Sequence, residues 1–168
     1  MKTIPIISVV GRSKVGKTTL LEKLLPEIKK RGYRVATVKH DVHGFDIDQP
    51  GKDTWRHARA GSDIVVISSL QKIAIIEKVD TEKTLDEIIE KFDPDHLDLI
   101  ITEGYKKQDK PKIEIFRSGV SDKLLSRKED LFAVVTDVPL DVGVPLFNPE
   151  NSADIVGLVN LIEKKFLG

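Results

Sequence analysis

The octapeptide GRSKVGKT at residues 11–18 constrains this chain more than any other stretch. Gly11, Gly16, Lys17 and Thr18 stand at the spacing G-x-x-x-x-G-K-[ST], which chains of this length contain by accident in fewer than about one case in a hundred at ordinary Gly and Lys frequencies. The flanks agree with the motif. The apolar run IPIISVV precedes it, and TLLEKLLPEIKK follows with Leu20, Leu21, Leu24, Leu25 and Ile28 at helical spacing. A strand, a glycine-rich turn and a helix in that order make a phosphate cradle, because the glycines let backbone N–H groups turn inward and the helix adds its positive end. Nucleotide contacts are therefore expected from Gly11, Arg12, Ser13, Lys14, Val15, Gly16, Lys17, Thr18 and Thr19. Lys17 is expected at the β- and γ-phosphates, and the Thr18 hydroxyl on Mg²⁺.

The chain has 168 residues, which suits one domain spanning 1–168 with its own core. Lys plus Arg number 27 and Asp plus Glu number 27, so no global field recruits nucleic acid or an anionic membrane, and any anion site must be local. Cysteine is absent, which excludes disulfides, thiolate metal sites and cysteine catalysis. The N-terminus enters a strand without a signal-like segment, and no apolar run approaches the ~20 residues of a membrane span. A cytoplasmic protein is the expectation.

Segments rich in β-branched residues recur at 4–10, 34–40, 63–68, 72–77, 97–102, 113–116, 131–136 and 144–147, with helical patterns at 17–31, 52–60, 81–91 and 152–166. This alternation predicts an α/β, three-layer P-loop fold: a mostly parallel sheet with helices on both faces. The gap SLQ at 69–71 is too short for a crossover, so DIVVIS and KIAIIE are expected as an antiparallel hairpin at one side of that sheet.

Ligands of open α/β sheets sit beyond the carboxyl ends of the strands, which directs attention there. LDLIIT runs into Glu103, an acidic residue placed to hold Mg²⁺ or its water opposite Thr18; Asp98 lies at the wrong end of the same segment. RVATVK runs into HDVHGFDIDQPGKD, rich in His and Asp, which reads either as a metal-binding or water-orienting loop or as polar residues that cap and turn. Asp41, first past the strand, is the candidate for Mg²⁺ and for the attacking water. The two histidines lack the fixed helical face of a zinc site. In GKDTWRHARAGSD, Lys52, Arg56 and Arg59 recur at roughly helical spacing, giving either a second anion site or a solvated helix with an Asp53–Arg56 pair. Trp55 reads as a core residue, and His57 and His96 as structural. LFAVVTD ends at Asp137, a candidate acceptor for the guanine edge without the N-K-x-D signature, and VPLFN ends at Asn148.

Taken together, GRSKVGKTTLLEKL, VKHDVHGFDIDQPGKDTWRHARAGSD and DLIITEGYKKQDKPKIEIFR resemble the molybdopterin-guanine dinucleotide biosynthesis adaptor protein family over almost the whole chain. The resemblance implies a P-loop fold, GTP binding with Mg²⁺, slow hydrolysis, a homodimer, and a supporting role beside the guanylyltransferase that forms the dinucleotide. Molybdopterin or its guanine dinucleotide becomes an expected second ligand at Lys52, Arg56 and Arg59. It carries Gly11 through Thr18 over as the phosphate loop, His40 to Asp48 as the loop after the second strand, and Glu103-Gly104-Tyr105-Lys106 as the acidic strand end. Related loops hold a lysine at their second position that acts across a dimer; here that place is Arg12, a candidate for neutralising transition-state charge, with Lys14 nearby. Two further readings stay open. One is a small-molecule kinase with a charged lid at 105–112 or 117–129; the other is a metallocentre-assembly GTPase, for which cysteine and a His-rich tail are missing.

Overall fold

The computed structural model describes residues 3–168, grouped in two compact units, one of residues 3–41 and 93–168 and the other of residues 42–92. The first unit holds a six-stranded parallel sheet in the order β2-β5-β1-β6-β7-β8. Its strands are β1 Ile6–Gly11, β2 Val35–Lys39, β5 Leu99–Glu103, β6 Lys112–Phe116, β7 Leu131–Thr136 and β8 Leu146–Phe147. Helices α1 Lys17–Lys30 and α4 Ser152–Ile162 belong with them, and a π-helical turn, Glu163–Leu167, prolongs α4. Its N-cap, Asn151, accepts a hydrogen bond from the Ala153 N–H at 2.9 Å.

Period-2 alternation sends one set of residues to each face of the sheet. Ile7 and Val9, Leu99 and Ile101, Ile113 and Ile115, and Ala133 and Val135 join Leu20, Leu24 and Ile28 of α1 and Leu158, Val159 and Ile162 of α4 in one core. The alternate residues are also buried, so the central strands read as unbroken apolar runs. On that second face the buried polar groups are satisfied in pairs. Ser8 and Thr102 hydroxyls lie 2.8 Å apart. Glu114 accepts from the Leu125 and Ser126 N–H groups at 2.6 and 2.8 Å, and Lys112 Nζ donates to Asp130 at 2.8 Å. Residues 117–130 thus lie across this face, tied down by the side chains of β6.

The second unit contains α2 Asp53–Arg59, β3 Ile64–Ser68, β4 Ile73–Glu77 and α3 Leu85–Ile89. The hairpin forms as expected, with Val66 opposite Ile75, but as a two-stranded sheet of its own, with neither strand paired to the large sheet. A three-residue connection fixes which strand pairs with which; it says nothing about which sheet edge the pair joins. Its residues Ile64, Val66, Ile73 and Ile75 share one face, and all are more than half exposed. The helical pattern of 81–91 shrinks to α3 because Thr84 and Glu87 close a capping box, with the Thr84 N–H donating to Glu87 at 2.8 Å. Among the described residues no helix is long and apolar enough to cross a membrane.

Asp130 gives the first unit a measurable acid limit. Hydrogen bonds from Arg127, then from Lys112, lower its pKa from the ordinary 3.8 to about 2. A carboxylate held below its unfolded value contributes stability that is complete above pH 4 and drains away as the pH falls toward 2. Urea midpoints measured between pH 5 and 2.5 should fall on acidification, and the Asp130→Asn variant should be less stable at pH 5 and lose part of that pH dependence, the rest belonging to other lowered carboxylates such as Asp137 and Glu163.

Candidate functional site

Strand β1 sits between β5 and β6, with Val9 opposite Glu103 and Gly11 opposite Ile115. This register delivers the phosphate loop, the acidic residue and the end of β6 to the same edge. Gly11 is required for close approach: a Cβ there would stand 2.8 Å from the Ile115 carbonyl oxygen and 2.9 Å from Val15 Cγ2. Lys14 holds a left-handed φ of 62°, a costly conformation for a residue with a side chain and one found at ligand clamps. Gly16 then caps α1, which starts at Lys17.

Lys17 Nζ donates to the Arg12 carbonyl oxygen at 2.8 Å, folding its charge back over the loop. Burial lowers its pKa, Glu103 opposes that shift, and Lys106 and Lys39 add to it. The Thr18 hydroxyl donates to the Glu103 carboxylate at 3.3 and 3.4 Å. Glu103 is only 8% exposed, with Lys39 Nζ at 3.7 Å from its carboxylate. A hydroxyl and a buried carboxylate side by side at the mouth of a phosphate cradle fit a Mg²⁺ ion, which takes one or two protein oxygens and fills its remaining positions from phosphates and water. Glu103, and not Asp98, meets Thr18; Asp98 is paired with Arg34 at 3.1 Å.

Asp41 is exposed and follows His40, whose N–H donates to the Glu103 carbonyl oxygen at 2.9 Å, so it leaves the sheet next to that strand end. Arg12 is paired with Asp122 at 2.9 Å, and its Nε is buried without a hydrogen-bond partner. Both Asp137 oxygens accept from Ser118, from its N–H and its hydroxyl, each at 2.9 Å. Those bonds hold the Asp137 pKa below its ordinary value. Lys52, Arg56 and Arg59 lie in the second unit. Lys52 precedes α2, Arg56 is 3.9 Å from Asp53, and the Arg59 guanidinium lies 5.5 Å from the Trp55 ring centre.

Beside the loop a cleft of about 310 Å³ is lined by Lys14, Gly16, Thr19, Lys23, Arg117 and Glu150, among others. Lys23 Nζ reaches the Pro149 carbonyl oxygen at 2.6 Å and Glu150 at 3.2 Å. Sequence reasoning passed over Lys39, Arg117 and Glu150. Lys39 closes RVATVK and Arg117 follows KIEIF directly, so the strand-end rule would have found both. Glu150 carries no such signal.

The family model described as Molybdopterin guanine dinucleotide synthesis protein B matches residues 6–137. The chain belongs to that family. It is 38% identical over 139 residues to the Molybdopterin-guanine dinucleotide biosynthesis adapter protein of Haemophilus influenzae, covering 83% of this chain and 78% of that protein. Identity to the protein of the same name from Escherichia coli is 35% over 163 residues, 95% of this chain and 91% of that one. A crystal structure of molybdopterin-guanine biosynthesis protein B superposes with a TM-score of 0.73 at 31% identity, covering 97% and 99% of the two chains. A homologue from Bacillus stearothermophilus, 24% identical, shares the fold with a TM-score of 0.70, covering 95% and 99%.

Gly104 holds the acidic strand end in place. It has φ of +98°, and a Cβ there would stand 2.9 Å from the His40 carbonyl oxygen. Gly104→Ala should therefore push β2 off the end of β5 and cost about 2 kcal/mol or more in urea unfolding.

Proposed function

We propose that this chain is a nucleotide-binding adapter in molybdopterin-guanine dinucleotide biosynthesis, holding GTP with Mg²⁺ and hydrolysing it slowly. The observation that carries the nucleotide reading is the joint placement of Lys17 over the loop and Thr18 against buried Glu103. The pathway reading is supported by relatives that bear the adapter name at 35% and 38% identity.

On this reading the loop N–H groups and Lys17 bind the phosphates, with Lys17 exchanging the Arg12 carbonyl for a phosphate oxygen. Mg²⁺ held by Thr18 and Glu103 would neutralise charge on the β- and γ-oxygens. Asp41 is the candidate to orient water, and Asp137, oriented by Ser118, the candidate to face the base. Hydrolysis is slow because transition-state charge needs a positioned cation, and the Arg12 guanidinium is engaged by Asp122. Lys52, Arg56 and Arg59 are the cations proposed for a molybdopterin phosphate or for the guanylyltransferase partner.

A homodimer completes the proposal. The face formed by Ile64, Val66, Ile73 and Ile75 is exposed and uncharged at its centre, so two copies can meet there without like-charge repulsion, as an isologous contact requires.

Lys17→Ala should abolish GTP binding in calorimetry while thermal unfolding stays near that of the wild type. Unchanged affinity in that variant would remove the nucleotide reading. Wild-type turnover should lie far below the ordinary ~10 s⁻¹ of enzymes; brisk turnover, independent of protein concentration, would return the chain to the autonomous enzymes. Val66→Glu should convert the dimer to a monomer in analytical ultracentrifugation, with GTP affinity of the monomer still measurable.

A further inference from the structure

Arg117 comes directly after β6, and its guanidinium Nη2 lies 4.0 Å from the place a Cβ on Gly16 would occupy. Gly16 is the residue whose backbone closes the phosphate loop onto α1, so this cation stands over the cradle on the side away from Glu103, in the cleft with Thr19 and Lys23. Its sole ion pair among the described residues is loose, 3.9 Å to Glu150, and the side chain is 41% exposed.

The backbone beneath it is fixed. The Val120 and Ser121 N–H groups donate to the Arg117 carbonyl oxygen at 3.2 and 2.8 Å. Ser118 is clamped to Asp137 by two bonds, and the following segment hangs on the buried carboxylate of Glu114 through Leu125 and Ser126. The guanidinium is thus a weakly committed cation on a rigid base. That combination suits a group that exchanges one anion for another, since little ordering is left to pay for on binding.

We propose that Arg117 binds the α-phosphate of the nucleotide, releasing Glu150 as it does so. The assignment rests on the nucleotide reading above and deepens it. Lys17 and the Thr18–Glu103 pair serve the β- and γ-phosphates; Arg117, on the opposite flank of the loop beside Thr19, meets the phosphate that carries the nucleoside. The recognised group is a nucleoside diphosphate or triphosphate, with affinity from this residue independent of the γ-phosphate.

The test compares wild type, Arg117→Ala, Arg117→Lys and Lys17→Ala by calorimetry with GTP, GDP and inorganic pyrophosphate. A charged hydrogen bond to phosphate is worth about tenfold to a hundredfold in affinity. Arg117→Ala should lose that factor equally for GTP and GDP, pyrophosphate binding should change less than about twofold, and Arg117→Lys should recover part of the loss. Thermal unfolding should match the wild type, because the side chain is partly exposed and its ion pair is long. Wild-type affinities in Arg117→Ala would overturn the assignment while leaving the nucleotide reading intact. A loss confined to GTP would place Arg117 at the γ-phosphate, and an equal loss for pyrophosphate would make it a residue that shapes the loop; either result overturns the proposal. Failure of the wild-type protein to bind both nucleotides would remove the nucleotide reading and this assignment together.

Discussion

The parallel pairing of β1 with β5 on one side and β6 on the other is the constraint on which this molecule depends. Because Val9 lies opposite Glu103 and Gly11 opposite Ile115, the loop leaves the sheet at the level where the acidic residue ends its strand. A shift of one residue in either pairing would turn Glu103 or Ile115 to the other face. Burial on both faces makes such a shift costly: Ile7, Leu99, Ile101 and Ile113 are fully buried, and so are Ser8 and Thr102 behind them. The absence of a side chain at Gly11 then lets the loop pass within contact distance of β6, where any larger residue would meet the Ile115 carbonyl.

The face of the sheet opposite α1 and α4 uses polar chemistry where the first uses apolar packing. Glu114 and Lys112 are almost fully buried, yet each is paired, to two backbone N–H groups and to Asp130 respectively. Such groups cost free energy unless satisfied, and what they provide in return is geometric: they pin residues 117–130 across the sheet. That segment brings Asp122 to Arg12, Ser118 to Asp137 and Arg117 to the flank of the loop. Part of the charged stretches at 105–112 and 117–129 is therefore committed to holding the fold, through buried Lys112 and through Arg127, which from the surface reaches Asp130 and Asp109.

The second unit follows a different logic. Its hairpin leaves one face of four β-branched residues, Ile64, Val66, Ile73 and Ile75, more than half exposed, and it is this face that the proposed dimer would cover. Basic residues of α2 sit in the same unit, with Arg56 and Arg59 in its last turn, where the helix dipole favours them. On the proposed function, the phosphate-loop residues and the basic residues of α2 thus fall in different units of one chain.

Local pattern alone was enough for the strand–glycine turn–helix order around residues 11–18, the eight strands to within two residues at their ends, the hairpin connection and the place of Glu103 at the end of its strand. Each depends on spacing along the chain: period 2 for strands, helical spacing after Lys17, and a motif with glycine at the two places where a side chain would clash or strain the backbone. Three matters needed the tertiary structure. The separate two-stranded sheet could not be foreseen, because turn length decides a pairing and not a neighbour. The engagement of Arg12 by Asp122, and of Asp137 by Ser118, joins residues about 110 and 19 positions apart, and no periodicity links them. The strand-end rule set Glu103 opposite Thr18, 85 residues away, but only the structure brings the hydroxyl within 3.3 Å of the carboxylate. That contact exists because two buried strands lock in one register, and register is a property of the packed sheet, set by which faces must be dry.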